Sequence, residues 1–216
     1  MNECSRTSCL SQGMDFIKPS DIEKRSFEII QSELQQPLDP DLASVILRVM
    51  HTTADFGYVD YLAFSKDVIK HAVSSLRKGI HIVCDTNMVK AGVDKTRLQT
   101  LSGDIHCFIK DEDVIQAAKQ NGNTRACASI DKAAALNNQF IFAIGNAPTA
   151  LMRICELTKM NVLSPVLVIG VPVGFVNVVE SKEMLMHSGI PYIVSQGRKG
   201  GSNVAAAICN ALLRLA

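Results

Sequence analysis

Phe140-Ile141-Phe142-Ala143-Ile144, followed at once by Gly145-Asn146-Ala147-Pro148-Thr149, is the stretch on which the fold turns. Five apolar residues without alternation describe a strand covered on both faces. The glycine, asparagine and proline behind it describe a tight turn into a helix, with Pro148 preset for the first helical turn. A strand that leads straight into a helix is the unit of a parallel sheet, because parallel neighbours need a crossover connection.

Similar apolar runs recur on both sides, at 80–84, 105–109, 166–169 and 191–194. Helical stretches separate them at 111–120, 125–136, 147–159 and 181–187, and a last helix starts at Ser202. Upstream, Phe27, Ile30 and Leu34 form a helical stripe, with Ser20 and Glu23 as its predicted capping box. Leu42, Val45, Ile46, Val49 and Met50 form a second stripe behind Asp39-Pro40. A third, through Val68, Ile69, Ala72, Val73 and Leu76, stops at Gly79. The alternation predicts an α/β fold: about five mainly parallel strands with helices on both sides. Residues 1–13 are polar and unpatterned, which predicts a disordered tail, with Met14 an alternative start. The remainder, 14–216, reads as one domain.

The charge balance narrows the partners. Lys+Arg number 22 and Asp+Glu 21, so no bulk field draws the chain to nucleic acid or a membrane surface. An anionic ligand has to be gripped by locally placed groups. The seven cysteines are an odd number with no CxxC pair, which fits reduced thiols in the cytoplasm. No run reaches the ~18 apolar residues of a membrane span. No close Cys/His cluster predicts a metal site.

In an open parallel sheet, ligands sit beyond the carboxyl ends of the strands. Four loops fall there: Asp85-Thr86-Asn87-Met88, the turn at Gly145–Thr149, Gly170-Val171-Pro172-Val173-Gly174-Phe175 running on to Glu180-Ser181-Lys182, and Gly197-Arg198-Lys199-Gly200-Gly201-Ser202. The last is the most informative. Its glycines allow close backbone approach, Ser202 can cap the next helix, and Arg198 with Lys199 supplies paired positive charge. That combination suits a phosphate or a carboxylate; a tight turn with solvated charges is the structural alternative. Asn146 serves a turn or a ligand equally well, and Glu180-Ser181-Lys182 serves equally well as a helix start. His51, one turn after Leu47, is the candidate acid/base group at the flank of the second helix's buried face. The alternative there is a histidine interacting with a helix C-terminus. GxGxxG, GxxxxGK[ST] and GxSxG are all absent.

Seven motifs, in order, resemble the precorrin-8X methylmutase family, including its cobalt-precorrin-8 branch. They are Ile22-Glu23-Lys24-Arg25-Ser26-Phe27, Arg48-Val49-Met50-His51, Asp85-Thr86-Asn87-Met88, Thr124-Arg125, the run from Gly145 to Leu151, Pro172-Val173-Gly174-Phe175 with Glu180-Ser181-Lys182, and the run from Gly197 to Ser202. The resemblance covers nearly all of 14–216. It implies a three-layer α/β/α sandwich, a homodimer and an isomerase of corrin (cobalamin) biosynthesis that needs no cofactor, with cobalt present only as part of the substrate. It also implies migration of a methyl group from C-11 to C-12, as a 1,5-sigmatropic shift, to give hydrogenobyrinate or cobyrinate. The family's catalytic histidine falls on His51, here expected to be a general acid. Arg198, Lys199 and Ser202, then Arg25, Ser26, Thr124, Arg125 and Asn146, are the expected contacts for the substrate's carboxylates. Met88, Val173 and Phe175 are available to cover the ring. Ala54, where a glycine is usual, and Asn177-Val178-Val179, in place of smaller residues, depart from the pattern. Two rival readings stand beside this one: a tetrapyrrole-binding relative without turnover, and a nucleotide- or sugar-phosphate-binding α/β enzyme resting on the Gly197–Ser202 loop.

Overall fold

A computed structural model describes residues 17–216. The expected tail at 1–13, with Cys4 and Cys9, and the alternative start at Met14 lie outside the described residues. The chain divides into two compact units, Met1–Gln35 and Gln36–Ala216.

In the first unit a 3-10 turn, Pro19–Asp21, leads into helix α1, Ile22–Glu33. The predicted capping box does not form. Ser20 lies inside the 3-10 turn, and its hydroxyl donates to the Asp21 carboxylate at 3.2 Å.

The second unit holds the sheet. In chain order its elements are α2 (Ala43–Thr53), α3 (Tyr58–Tyr61), β1 (Leu62–Phe64), α4 (Val68–Leu76), β2 (His81–Cys84), α5 (Asn87–Gly92), α6 (Lys95–Thr100), β3 (Ile105–His106), α7 (Glu112–Gln120), α8 (Arg125–Ala135), β4 (Phe140–Ile144), α9 (Pro148–Lys159), β5 (Leu167–Gly170), α10 (Val178–Met186), β6 (Tyr192–Ser195) and α11 (Ser202–Leu215). The sheet runs β1-β6-β5-β4-β2-β3, parallel throughout except for β1, which pairs antiparallel with β6. The expectation of about five strands thus gains a sixth. Leu62-Ala63-Phe64 is too short to carry a pattern, and its partner lies some 130 residues away at Ile193–Ser195 in the pairing Phe64↔Ile193 to Leu62↔Ser195.

Helices cover both faces, giving the three layers. Helix α11 lies against β4 and β5 on one side, flanked by α2, α4 and α5; helices α7 to α10 pack in sequence on the other. Because successive strand residues point to opposite faces, Phe140, Phe142, Ile144, Val168 and Val194 join Ile130 of α8 and Leu151 and Ile154 of α9 in one core. Their neighbours Ile141, Ala143, Leu167, Ile169 and Ile193 are as deeply buried toward α11. Both faces of the central strands are therefore dry, which is why those strands read as unbroken apolar runs. None of the helices among the described residues is long and apolar enough to cross a membrane.

Two local details correct the sequence reading. Helix α2 begins at Ala43 rather than at Pro40; Asp39 instead makes a turn, its carboxylate accepting the Asp41 N–H at 2.9 Å and its carbonyl those of Leu42 and Ala43. The same helix ends on Ala54 at φ 52°, a left-handed conformation that suits glycine. The unexpected alanine at 54 therefore carries backbone strain, and Ala54→Gly should raise stability by about 1 kcal/mol. Urea unfolding measures this as a higher midpoint at unchanged slope; an unaltered midpoint would remove strain from the account.

Candidate active site

The parallel strands all end on one edge, and the antiparallel β1 begins there, with Leu62 opposite Ser195. The loops after β2, β4, β5 and β6 and the segment between α2 and β1 therefore share that edge. Strand order reverses between β2 and β4: β2 leads to α5 on the α11 face, β4 to α9 on the other. Chains that part in this way leave a crevice.

Asp85 closes the floor of the crevice. It is 3% exposed, and its carboxylate accepts the N–H groups of Gly145 (2.9 Å), Asn146 (2.8 Å) and Ala147 (2.7 Å). Burial pushes the Asp85 carboxyl above its usual range, while the three amides pull against that rise. The main-chain N–H of Asn146 is thus committed to the protein; its side chain is exposed. Gly145 touches the start of α11, where a Cβ would lie 2.7 Å from the Cα of Ser202. Ser202 does not cap α11 as expected, because Gly201 occupies the cap position. The Ser202 hydroxyl lies 2.9 Å from that of Thr86, which caps α5 by accepting the Val89 N–H. Thr124 caps α8 through the Cys127 N–H, and its hydroxyl lies 2.9 Å from that of Thr149 in the first turn of α9. Arg125, next in the chain, is exposed.

The loop from Gln196 to Gly201 is anchored on every side. Gly201 donates its N–H to the Val171 carbonyl at 2.8 Å, and Gly174 donates to Arg198 at 3.3 Å, so this loop and the one after β5 are stitched together. Gly200 has no room for a Cβ, which would collide with the Val171 carbonyl oxygen. Its glycine answers to the neighbouring loop, not to the ligand approach expected from the sequence. From below, the Lys182 amine donates to the carbonyls of Gly197 and Lys199, both at 2.8 Å, and Ser195 donates to Lys199 at 3.0 Å. From the side, Lys199 donates to Asp55 at 2.6 Å and sits 4.7 Å from the Tyr61 ring centroid. The hydrogen bond from Lys199 holds the Asp55 carboxyl below its ordinary value and raises the Lys199 amine in turn. Arg198 is left exposed, its guanidinium 5.4 Å from the ring centroid of Phe175.

His51 lies in the last turn of α2 and is exposed, four residues before Asp55. The Asp55–Lys199 ion pair fixes the end of that helix beside the Arg198 loop. Around the same edge, Phe175 (82%), Val176 (78%), Met88 (70%) and Val173 (49%) are exposed apolar side chains. Exposed apolar side chains at one sheet edge make it a candidate binding surface. These contacts bring Thr124, Asn146, Arg198, Lys199 and Ser202 to the one edge, with Arg125 next to Thr124 in the chain and His51 four residues before Asp55. Arg25 and Ser26 belong to the first unit, where Arg25 pairs with Glu28 at 3.4 Å and the Ser26 hydroxyl donates to the Ile22 carbonyl at 2.9 Å. Sequence reasoning missed the structural parts played by Asp85, Asp55 and Lys182. A carboxylate or amine that serves backbone groups leaves no spacing signal.

The family model described as precorrin-8X methylmutase matches residues 21–215. The chain is 45% identical to the cobalt-precorrin-8 methylmutase of Salmonella typhimurium, covering 91% of this chain and 95% of that one. It is 43% identical to the cobalt-precorrin-8 methylmutase of Leptospira interrogans, over 90% and 92%. A solved structure of a precorrin-8x methyl mutase from Thermus thermophilus superposes with a TM-score of 0.83 at 34% identity, over 90% of this chain and 96% of that one.

Two outcomes follow from the clamp and the ion pair. Asp85→Ala takes the acceptor from one buried and two partly buried amides and should cost about 3 kcal/mol in urea unfolding; a loss below about 1 kcal/mol would deny the carboxylate its part in holding the turn. The depressed Asp55 value means that the folded state binds its proton less tightly than the unfolded chain. Its contribution is present above the unfolded value of about 3.9 and fades as pH falls through the lower folded value. The stability gap between the wild type and Asp55→Asn should therefore narrow as pH falls into the acid range, and a gap that does not change with pH would contradict the pairing.

Proposed function

The chain belongs to the precorrin-8X methylmutase family, and from that we propose that it moves a ring methyl group from C-11 to C-12 of precorrin-8X or cobalt-precorrin-8 by a histidine-assisted 1,5-sigmatropic shift. The observation that carries this reading is the make-up of the rim. Exposed Phe175 lies beside Arg198, and exposed Val176, Met88 and Val173 share the sheet edge with the Thr86–Ser202 and Thr124–Thr149 hydroxyl pairs. A wide apolar ring fringed with carboxylates asks for that combination: apolar cover for its faces, cations and N–H or O–H donors for its edge. A nucleotide would ask for a phosphate cradle of free amides. Here the amides of 145–147 are already spent on Asp85.

The reaction is an isomerisation, so no atom or electron enters or leaves overall. Protonation of a ring nitrogen by the His51 imidazolium would make the π-system electron-poor where the methyl group departs. The methyl then migrates to the adjacent carbon, and the proton returns to the imidazole. Placing the end of α2 against the Arg198 loop, through Asp55 and Lys199, supports this division of work. Arg198 grips a carboxylate, with Arg125, Thr124, Ser202 and the Asn146 side chain further along the rim; Arg25 and Ser26, in the first unit, stay candidates on the family resemblance alone. The Salmonella and Leptospira relatives both carry the cobalt-precorrin-8 name, which supports the cobalt-bearing ring as the natural substrate. Assembly as a homodimer belongs to the same reading and is open to light scattering.

Incubation with precorrin-8X and with cobalt-precorrin-8, followed by absorption, tests the assignment directly; failure to convert either ring would refute it. In His51→Ala, kcat should fall by about 10²- to 10⁴-fold while product Kd changes by less than about threefold. Undiminished turnover would remove His51 from the mechanism. Arg198→Ala should weaken ring binding by about tenfold or more.

A further inference from the structure

Lys182 is the side chain that the mechanism does not use and that the fold treats most unusually. It is 1% exposed, in the second turn of α10, and its amine is directed at main-chain carbonyls of Gly197 and Lys199. An ammonium group taken out of water is costly unless its protons are all well received. What the amine supplies that a leucine cannot is a pair of charged donors bracketing residue 198. The two carbonyls it holds belong to the residues immediately before and after Arg198. Ser195, at the end of β6, adds a second donor to the Lys199 carbonyl. The Arg198 main chain is thereby gripped on both sides from inside the protein, while its side chain stands outside over Phe175.

We propose that Lys182, with Ser195 beside it, is the positioning residue for substrate capture. It fixes the main chain on either side of Arg198, so that the guanidinium is held over the rim before the substrate's carboxylate arrives. Neither residue touches the ring. The inference rests on the functional reading above, since it assigns Arg198 a substrate carboxylate. Pre-ordering of this kind lowers the cost of binding and leaves the chemical step alone. A residue that only filled space would lower stability without separating KM from kcat.

The test is a double-mutant cycle on the full chain, with turnover read by the corrinoid absorption change. Lys182→Met should raise KM by about tenfold while kcat stays within about threefold. In an Arg198→Ala background the same change should raise KM by less than about threefold, because the side chain it positions is gone. Two results would each overturn the proposal: an unchanged KM in Lys182→Met, or an effect that multiplies undiminished on top of Arg198→Ala. Where Lys182→Met does not fold, Ser195→Ala takes its place, and removing one donor should raise KM by about threefold at unchanged kcat. An unaltered KM there overturns the proposal equally. The wild-type control separates the two levels. Absence of turnover in it strikes the functional reading, whereas intact turnover with an indifferent Lys182 strikes this inference alone.

Discussion

Everything on the carboxyl edge depends on one buried carboxylate. Asp85 follows β2, and the amides it gathers follow β4, so a single side chain ties together the two strands between which the chain changes direction. Crevices at such points open because neighbouring connections leave for opposite faces. Left alone, the turn after β4 would present three inward amides with nothing to accept them. Asp85 satisfies all three, and the turn can then lie against the start of α11 at the distance set by Gly145. From that contact follow the pairing of Ser202 with Thr86 and the placing of the last loop.

A second principle orders the rim: polar groups are sorted between those spent inside the protein and those left facing outward. Lys199, although it stands beside Arg198 in the chain, is spent on Asp55 and Tyr61. Asn146 gives up its main-chain donor and keeps its side chain outside. Arg198 is exposed, with an aromatic ring beneath it. Two adjacent cations of the same motif thus do different jobs: one fastens the loop to the end of α2, and the other projects from it. An arginine suits the projecting place because its planar fork matches a carboxylate and can stack on a ring, whereas a lysine serves well as a point charge in an ion pair.

Much of this was legible in the sequence. Strands β2, β4, β5 and β6 announced themselves because burial on both faces removes polar residues from them altogether. Helices with a long apolar stripe were equally plain. The short elements were not: α5 and α6 span six residues each, less than two full turns, and β1 exists only because β6 is there to pair with it. The motif that contains Asp85 was visible, but its partners lie about 60 residues further on, and no local pattern encodes that meeting. Lys182 is harder still. A lysine in a helix start is read as solvated, and carbonyl partners leave no mark in a sequence. Ala54 is the reverse case, where a departure noticed in the sequence acquired a reason only when its left-handed backbone was seen.

The antiparallel edge strand has a consequence for the order in which the protein can be made. Residues 51–61 leave the ribosome well before β6, yet β1 finds its strand partner among the described residues in β6 alone, and Asp55 finds its lysine 144 residues later. Closing so long a loop is slow relative to forming a local helix. The histidine-bearing segment therefore docks only when the last strand and loop have been synthesised. A nascent chain without β6 and the loop after it holds no finished rim, and its aromatic and aliphatic side chains gather into one surface only once those segments have been made.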